Sequence, residues 1–360
     1  MPAPNDRHEI RGSAPAPERE LVRHARGFGR ALSAWYRTSA RPLPWRQAPS
    51  LYKTVVSEFM LQQTQVKTVL PYLARWLEEL PDFAALAAAP EARVLKLWEG
   101  LGYYSRARNL HRLAQAIAAL PSAPRDAAAW QELPGVGPYT AAAITSISFS
   151  APAACVDGNV VRILARLTSD ATLHRDSASA AKTLAPLAAA LLPAANPGGH
   201  NQAMMELGAT VCLRSNPLCP QCPVREFCSA GLRGNPGDYP RLAPKKMERL
   251  SLTRVWCQRR GALLLHLSAN GARRFAAMHE LPTADQAGST PGAVERGELL
   301  AKKRRGITRY QITESIFRVS SVSKNLSKEL VWVPIDELES VTLSGPHRRW
   351  IREILLAAPA

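Results

Sequence analysis

The stretch from Trp130 to Arg166, WQELPGVGPYTAAAITSISFSAPAACVDGNVVRILAR, constrains the fold more than any other part of the chain. It predicts a short helix ending near Glu132, a tight turn Leu133-Pro134-Gly135-Val136-Gly137, and a second helix opening at Pro138. Proline suits the first helical position because its missing N–H would be unpaired there anyway. Gly135 and Gly137 give the turn its backbone freedom and let a partner approach closely. Free N–H groups at the second helix start, with the positive end of the helix dipole, make an anion site. With nucleic acid, that anion would be a backbone phosphate. An ordinary glycine-rich helix connection would carry the same residues. Asp157, twenty residues after Gly137 in Val156-Asp157-Gly158-Asn159, favours the functional reading.

A net charge of +17 and a pI near 10.1 point to a polyanionic partner. An arginine-rich coding bias would leave the same surplus, so charge alone decides nothing. At 360 residues, 46% hydrophobic, the chain is long enough for two domains with real cores. No apolar run reaches the roughly 18 residues that a membrane helix needs. The opening MPAPNDRHEIRGSAPAPERE lacks an apolar signal segment and reads as a disordered leader over residues 1–17. Of six cysteines, four fall between Cys212 and Cys228, which argues for a metal site in a reducing compartment rather than disulfides.

A carboxylate following a phosphate-gripping turn is the arrangement a DNA glycosylase needs. The stretch resembles the helix-hairpin-helix DNA glycosylase superfamily, with Asp157 where that family keeps its catalytic aspartate. Earlier segments resemble its MutY (adenine DNA glycosylase) branch. Glu18 to Ser39 has the spacing of an amphipathic helix, with Leu21, Phe28, Leu32 and Trp35 on one side. Arg41-Pro42-Leu43-Pro44-Trp45-Arg46 cannot be helical through both prolines and predicts an ordered loop. A tryptophan over a Pro-rich turn would explain it, but in MutY such a loop lies beside the base pocket, which implicates Arg46. Leu51 to Leu70 is a long apolar segment in which Val55, Val56, Phe59 and Leu61 surround Glu58. Partial desolvation there would raise the Glu58 pKa and suit a general acid near neutral pH. Most helical glutamates are simply exposed. SEFMLQQTQV, however, resembles the MutY motif in which this glutamate is the catalytic acid. Leu61, Gln62, Gln63 and Thr64 then correspond to the segment that wedges into DNA. The endonuclease III branch carries an apolar residue at the Glu58 position.

Val94 to Leu120 reads as a helical region interrupted by GLGYYSRAR, whose tyrosines and arginines suit base stacking and backbone contact. A helix corner with buried tyrosines is the plainer account. The resemblance of GLGYYSRARNL to MutY implies instead that Tyr103 stacks into the duplex and Arg106 contacts DNA. Tyr139 stands where strand-cleaving relatives use a Schiff-base lysine, and a tyrosine cannot form one. Val161 occupies the place where some MutY proteins carry a product-trapping lysine. NQAMMELGA also resembles MutY, where Glu206 would reach the adenine.

Cys212, Cys219, Cys222 and Cys228 form C-x6-C-x2-C-x5-C. Zinc sites usually pair two CxxC-like units, which this spacing does not. Four thiolates suit a [4Fe-4S] cluster, and their order resembles the cluster loop of endonuclease III and MutY. Arg214 and Arg225 within it suggest a rigid basic finger on DNA. Cys155 and Cys257 read as ordinary buried cysteines. Residues 231–250, rich in Gly, Pro, Lys and Arg, read as a linker. Beyond it come apolar strands at Leu252–Cys257, Ala262–Leu267, Tyr310–Val319 and Leu330–Val333, then a helix from Pro346 to Leu356 capped by Ser344. This tail resembles, more distantly, the Nudix-like domain with which MutY reads 8-oxoguanine. Ile312-Thr313-Glu314 would take the place of its Phe-Ser-His recognition turn, so Thr313 and Glu314 are the expected contacts. No full Nudix catalytic box is visible, and no pyrophosphatase activity is expected.

The expected fold is a mostly α glycosylase domain over residues 18–230, with the cluster loop at 212–228, followed by a small α+β domain over 251–360. The resemblance implies a monofunctional glycosylase that removes adenine opposite 8-oxoguanine or guanine in double-stranded DNA. Glu58 and Asp157 would be catalytic, with Tyr139 and Asn159 holding Asp157 and the sugar. A monomer in the bacterial cytoplasm, at the nucleoid and away from membranes, is expected. An endonuclease III-like lyase is opposed by Glu58 and Tyr139. A non-catalytic iron–sulfur DNA-binding protein is opposed by the intact carboxylate pair.

Overall fold

The computed structural model describes residues 16–269, 277–307, 309–322 and 327–357. The expected leader falls outside the described residues up to position 15, and a helix begins at Ala16. The chain divides into two compact units. One is built from the described residues up to Gln63, with Asp82–Ala84 and Arg112–Pro244. The other comprises Thr64–Pro81, Ala85–His111 and the described residues from Lys245 onward.

The first unit is helical, and its centre is the helix Pro138–Phe149. Thr140 to Ser146 are buried without a break, so this helix is covered on every side rather than on one stripe. It packs against Leu51–Leu61 and Pro197–Thr210. Gly198 permits the second contact, because a Cβ there would stand 2.4 Å from the Ser146 carbonyl oxygen. Local sequence sets the ends of these helices. Ser50 caps the first by accepting from the Lys53 N–H, Asp126 caps Ala127–Gln131 through the Ala129 N–H, and Asp176 and Ser179 form a capping box. A second core joins Phe28 and Leu32 to Gly158–Thr168, Ser177–Leu191 and the underside of the cysteine loop.

Several boundaries differ from the sequence reading. The segment Glu18–Ser39 is two helices, Ala16–Arg23 and Ala25–Ser39, broken at His24. The Pro-rich loop ends in one short helical turn, Pro44–Gln47, with Trp45 buried. Leu51–Leu70 is split between Leu51–Leu61 and Val66–Glu79 at the four residues Gln62–Gln65, where Gln63 takes a left-handed φ of 55°. The supposed linker is folded over much of its length. Ser229–Arg233 is helical, Pro236–Asp238 forms a 3-10 turn, and Leu242 bridges to His174. The cause is Arg166, a fully buried arginine that donates to the carbonyls of Pro236, Tyr239, Leu213 and Arg214. Gly and Pro mark a tight strap here, and only a distant guanidinium reveals it.

The second unit combines the helices Val66–Glu79 and Glu91–Leu97 and the start of Ser105–Ala118 with an α+β portion. One sheet has the order β1-β6-β5, with β1 (Glu248–Trp256) parallel to β6 (Tyr310–Arg318) and β5 (Glu298–Ile307) antiparallel to it. The other sets β3 (Ala262–Leu267) between β4 (His279–Glu280) and β7 (Leu330–Pro334), with β2 (Gln258–Arg259) also on β3. β5 gave no apolar signal because it is an edge strand reading ELLAKKRRGI. The last helix runs Gly345–Ala357, and the Ser344 hydroxyl before it donates to Glu280.

Candidate active site

Glu58 lies on the Leu51–Leu61 helix and is only 6% exposed. Burial pushes its carboxyl up to about 7 from 4.5. The Tyr139 phenol hydrogen-bonds to it and pulls the other way, Asp157 adds to the rise, and Arg46 opposes it. Tyr139, the second residue of the Pro138–Phe149 helix, holds its own proton far above the ordinary range, first through burial and then through Glu58 and Asp157. Its hydroxyl also points at the Met205 sulfur, 3.7 Å away. Tyr139 therefore touches Glu58, while Asp157 is held by other groups.

Asp157 caps the helix Gly158–Thr168. Its Oδ1 accepts from the backbone N–H groups of Asn159 and Val160 at 2.9 and 2.8 Å, and its Oδ2 from the Asn159 amide at 3.0 Å. The helix N-terminus so fixes a half-exposed carboxyl group in one rotamer. The site pairs one buried carboxyl that keeps its proton near neutrality with one carboxyl group that accepts three hydrogen bonds at a helix start.

Three positioning residues went unread in the sequence. Asn201 clasps the segment leading to Asp157, donating to Ala153 O and Ser146 Oγ and accepting from the Cys155 N–H. Arg162 donates to Asn159 Oδ1 at 2.9 Å and to the carbonyls of Gly208 and Cys212, tying the Asp157 cap to the first cysteine. Arg41 forks onto Glu206 through Nε and Nη2 at 2.7 and 2.9 Å. Arg46 adds a bond to the same carboxylate at 2.9 Å and lies over the Tyr36 ring. This revises Glu206. It is fully buried, and although burial opposes its charge, Arg41 and Arg46 hold it below the ordinary carboxylate range. Its oxygens accept four bonds from the two arginines, so it aims them instead of facing a base.

The turn residues are exposed where expected. Gly135 takes φ 74°, which favours glycine, and Gly137 is extended. A Cβ at Gly137 would meet nothing within 4 Å, and no side chain caps the helix it begins. Gln62 donates to Thr140 Oγ1 at 3.4 Å, Leu61 is half-buried, and Gln63 is exposed. In the second unit Tyr103 is 44% exposed at the tip of its loop, with φ 47°. Arg106 is the exception. It is buried, donates to Thr64 Oγ1 and the carbonyls of Leu101 and Gly102, and stacks between Trp98 and Tyr103. A guanidinium used in this way braces the loop and is not presented to a phosphate.

Thr313 and Glu314 are not in a turn. They lie in the middle of β6, which pairs antiparallel with β5 as far as Ile307 and Tyr310. Glu314 points inward, fully buried, and pairs with Arg254 at 2.6 Å, with Arg305, and with His347. Burial alone would raise it, but His347, Arg254 and Arg305 pull its carboxyl down to about 2. A strand with a period of two sends every second side chain to the core, so the acidic residue found its partners there.

Cys212, Cys219, Cys222 and Cys228 are free thiols lining one cavity with Arg166, Arg225 and Gly231. Among the described residues no three His, Cys, Asp or Glu side chains are drawn together as a metal centre. The environment nonetheless fits a group bound by sulfur. Gly231 N–H and Arg166 Nη1 each donate to a cysteine sulfur at 3.3 Å, to Cys228 and Cys212 respectively. Without such a group, burial pushes the Cys222 thiol up to about 11.

Comparison with known proteins agrees with this geometry. Residues 56–187 match the family model "HhH-GPD superfamily base excision DNA repair protein". The chain is 42% identical over 243 residues to the rat adenine DNA glycosylase, covering 64% of this chain and 47% of that protein. It is 41% identical over 196 residues to the adenine DNA glycosylase of Mycolicibacterium smegmatis, covering 54% and 66%. It spans about half the length of the curated relatives it matches first. Among solved structures, a thermostable thymine-DNA glycosylase superposes with a TM-score of 0.53 at 26% identity, covering 59% of this chain and 98% of that one. An endonuclease III in a non-covalent DNA complex superposes at 0.50 with 21% identity, over 59% and 97%, a likeness of fold. The match to the HhH-GPD superfamily thus lies within residues 56–187, and the similarity to adenine DNA glycosylases extends over up to 64% of the chain.

Proposed function

We propose that the protein is a monofunctional adenine DNA glycosylase that hydrolyses the N-glycosidic bond of adenine opposite 8-oxoguanine or guanine. The observation that carries this reading is the carboxyl pair: Glu58 buried and pushed up to about 7, Asp157 fixed at a helix N-terminus. Two carboxyls in different environments can take different roles at one pH. The adenine is flipped from the duplex into the site. Glu58 gives its proton to adenine N7, and the base leaves as the glycosidic bond breaks. Asp157 stabilises the positive charge developing on the sugar. Ionised Glu58 then takes a proton from the attacking water and is restored. Tyr139 holds the Glu58 carboxyl in place, and with no amine at position 139 the abasic product is released without strand cleavage.

Gly135, Gly137 and the uncapped start of the Pro138–Phe149 helix grip a phosphate of the bound duplex. Gln63 and Tyr103, each exposed on left-handed backbone, contact the duplex. Cys212, Cys219, Cys222 and Cys228 hold a [4Fe-4S] cluster, which stiffens the loop carrying the exposed Arg214 and Arg225. The portion beyond residue 251 acts as a Nudix-like reader of the base opposite adenine, through surfaces other than Glu314. The enzyme acts as a monomer on nucleoid DNA in the bacterial cytoplasm. Single-turnover assays on A·8-oxoguanine and A·G duplexes, with and without alkali, test the proposal. Adenine release with alkali-dependent strand breaks supports it, and no release from either mispair refutes it.

A further inference from the structure

The loop that presents Tyr103 is unusual in its backbone and in its anchorage. Gly100, Gly102 and Tyr103 have φ values of 106°, 70° and 47°, three left-handed residues within four. Glycine takes such values freely, but at Tyr103 the left-handed backbone persists only where its surroundings over-determine it. Its entry residue, Glu99, is nearly buried and takes bonds from two directions. Lys96 Nζ donates to Oε2 at 3.1 Å from the preceding helix. Arg348, in the last helix of the chain, donates through Nε to Oε1 and through Nη2 to Oε2 at 3.1 Å. The Leu343 N–H reaches Oε2 at 3.4 Å. The rest of the loop is stitched to the same segment. Tyr104 OH donates to Leu343 O at 3.3 Å and accepts from the Gly100 N–H, and Lys96 also donates to Val341 O. Gly345 and Gly100 are packed so closely that a Cβ on Gly345 would stand 3.4 Å from Gly100 Cα. Arg348 is itself fixed by the carbonyls of Leu338 and Val341, both at 2.6 Å.

We propose that Arg348 is a positioning residue for DNA engagement: through Glu99 it latches the Tyr103 loop to the C-terminal helix, so the C-terminal segment controls how Tyr103 enters the duplex. A forked arginine–carboxylate pair holds both distance and angle, which one lysine contact could not do. Loss of the latch leaves Tyr103 in place chemically and frees its loop. The C-terminal segment therefore affects binding of every mispair, in addition to any reading of the opposite base. The inference rests on the proposed entry of Tyr103 into DNA.

The test is a double-mutant cycle on the full-length protein. Arg348→Met, Glu99→Gln, Tyr103→Ala and the doubles Tyr103→Ala/Arg348→Met and Tyr103→Ala/Glu99→Gln are compared for affinity to a duplex holding an uncleavable adenine analogue. A 2-aminopurine beside the mispair reports local unstacking. Arg348→Met and Glu99→Gln should each weaken binding about tenfold and blunt the fluorescence rise, while adding nothing in the Tyr103→Ala background. Glu99→Gln keeps the side-chain shape and carries the test should Arg348→Met fail to fold. Effects that add to that of Tyr103→Ala, or a lowered Tm with unchanged affinity and fluorescence, would overturn the latch. If Tyr103→Ala changes neither readout, the entry of Tyr103 into DNA is wrong, and the latch falls with it.

Discussion

Replacing Glu58 by glutamine should abolish adenine release and, at the same time, make the protein more stable above neutral pH. In the folded state the Glu58 carboxyl titrates at about 7 against an ordinary 4.5, chiefly because it is buried. The folded protein therefore binds this proton more tightly than the unfolded chain does. Between those two values stability falls as pH rises, and above the upper one the full cost of an ionised, buried Glu58 is present. At 1.36 kcal/mol per unit, that cost is about 3 kcal/mol. Glutamine keeps the shape and cannot ionise, so Glu58→Gln should match the parent near pH 4.5 and exceed it by up to about 3 kcal/mol at pH 8.5. Activity should run in the opposite sense. The acid is competent only while protonated, so the single-turnover rate should fall about thirtyfold between pH 6 and pH 8.5. Urea unfolding at three pH values and a pH–rate profile on an A·8-oxoguanine duplex measure the two halves. A rate flat across that range, or a glutamine variant that loses stability at pH 8.5, would refute the assignment of Glu58 as a desolvated acid.

Strand breaks should appear only after alkali or heat, and borohydride should trap no enzyme–DNA adduct, because Tyr139 offers no amine; Tyr139→Lys should gain weak trapping. The purified protein should be brown with about four irons, and Cys222→Ser should lose colour and DNA affinity while far-ultraviolet dichroism changes little. Zinc in place of iron in a fully active protein would refute the cluster. Glu314→Ala should cost about 3–5 kcal/mol in unfolding experiments, because Arg254 and Arg305 lose a buried partner. The ratio of affinities for A·8-oxoguanine and A·G should stay unchanged in that variant.

What could be read from the residues was whatever local sequence decides. Pro138 opens its helix because a proline belongs at a first turn. Glu58 is buried because its helix neighbours are apolar. What could not be read were polar groups whose partners lie far along the chain. Arg41 meets Glu206 at a separation of 165 residues, and Arg166 meets Pro236 at 70. Composition gives such arginines the look of a solvated face, since charged residues are seldom buried without a partner. The misplacement of Glu314 has the same origin. A recognition turn and an inward strand position carry similar residues, and only the register of β6 against β1 and β5 distinguishes them.

These buried arginines alter the meaning of the basic composition. Arg106, Arg166, Arg254 and Arg348 are buried, and Arg41, Arg46 and Arg305 are engaged by internal carboxylates. Arg254 and Arg305 are offset by Glu314, Arg348 by Glu99, and the Arg41–Arg46 pair in part by Glu206. Arg106 and Arg166 donate to main-chain carbonyls and hold a loop and a strap. Only charges at the surface displace counterions from a nucleic acid. The charge available to the proposed DNA partner is therefore that of exposed groups such as Arg214 and Arg225 of the cysteine loop, and the backbone N–H groups at the start of Pro138–Phe149 would add dipoles but no net charge. In this chain some arginines serve to fix internal geometry and add nothing to the attraction of the polymer on which the site is proposed to act.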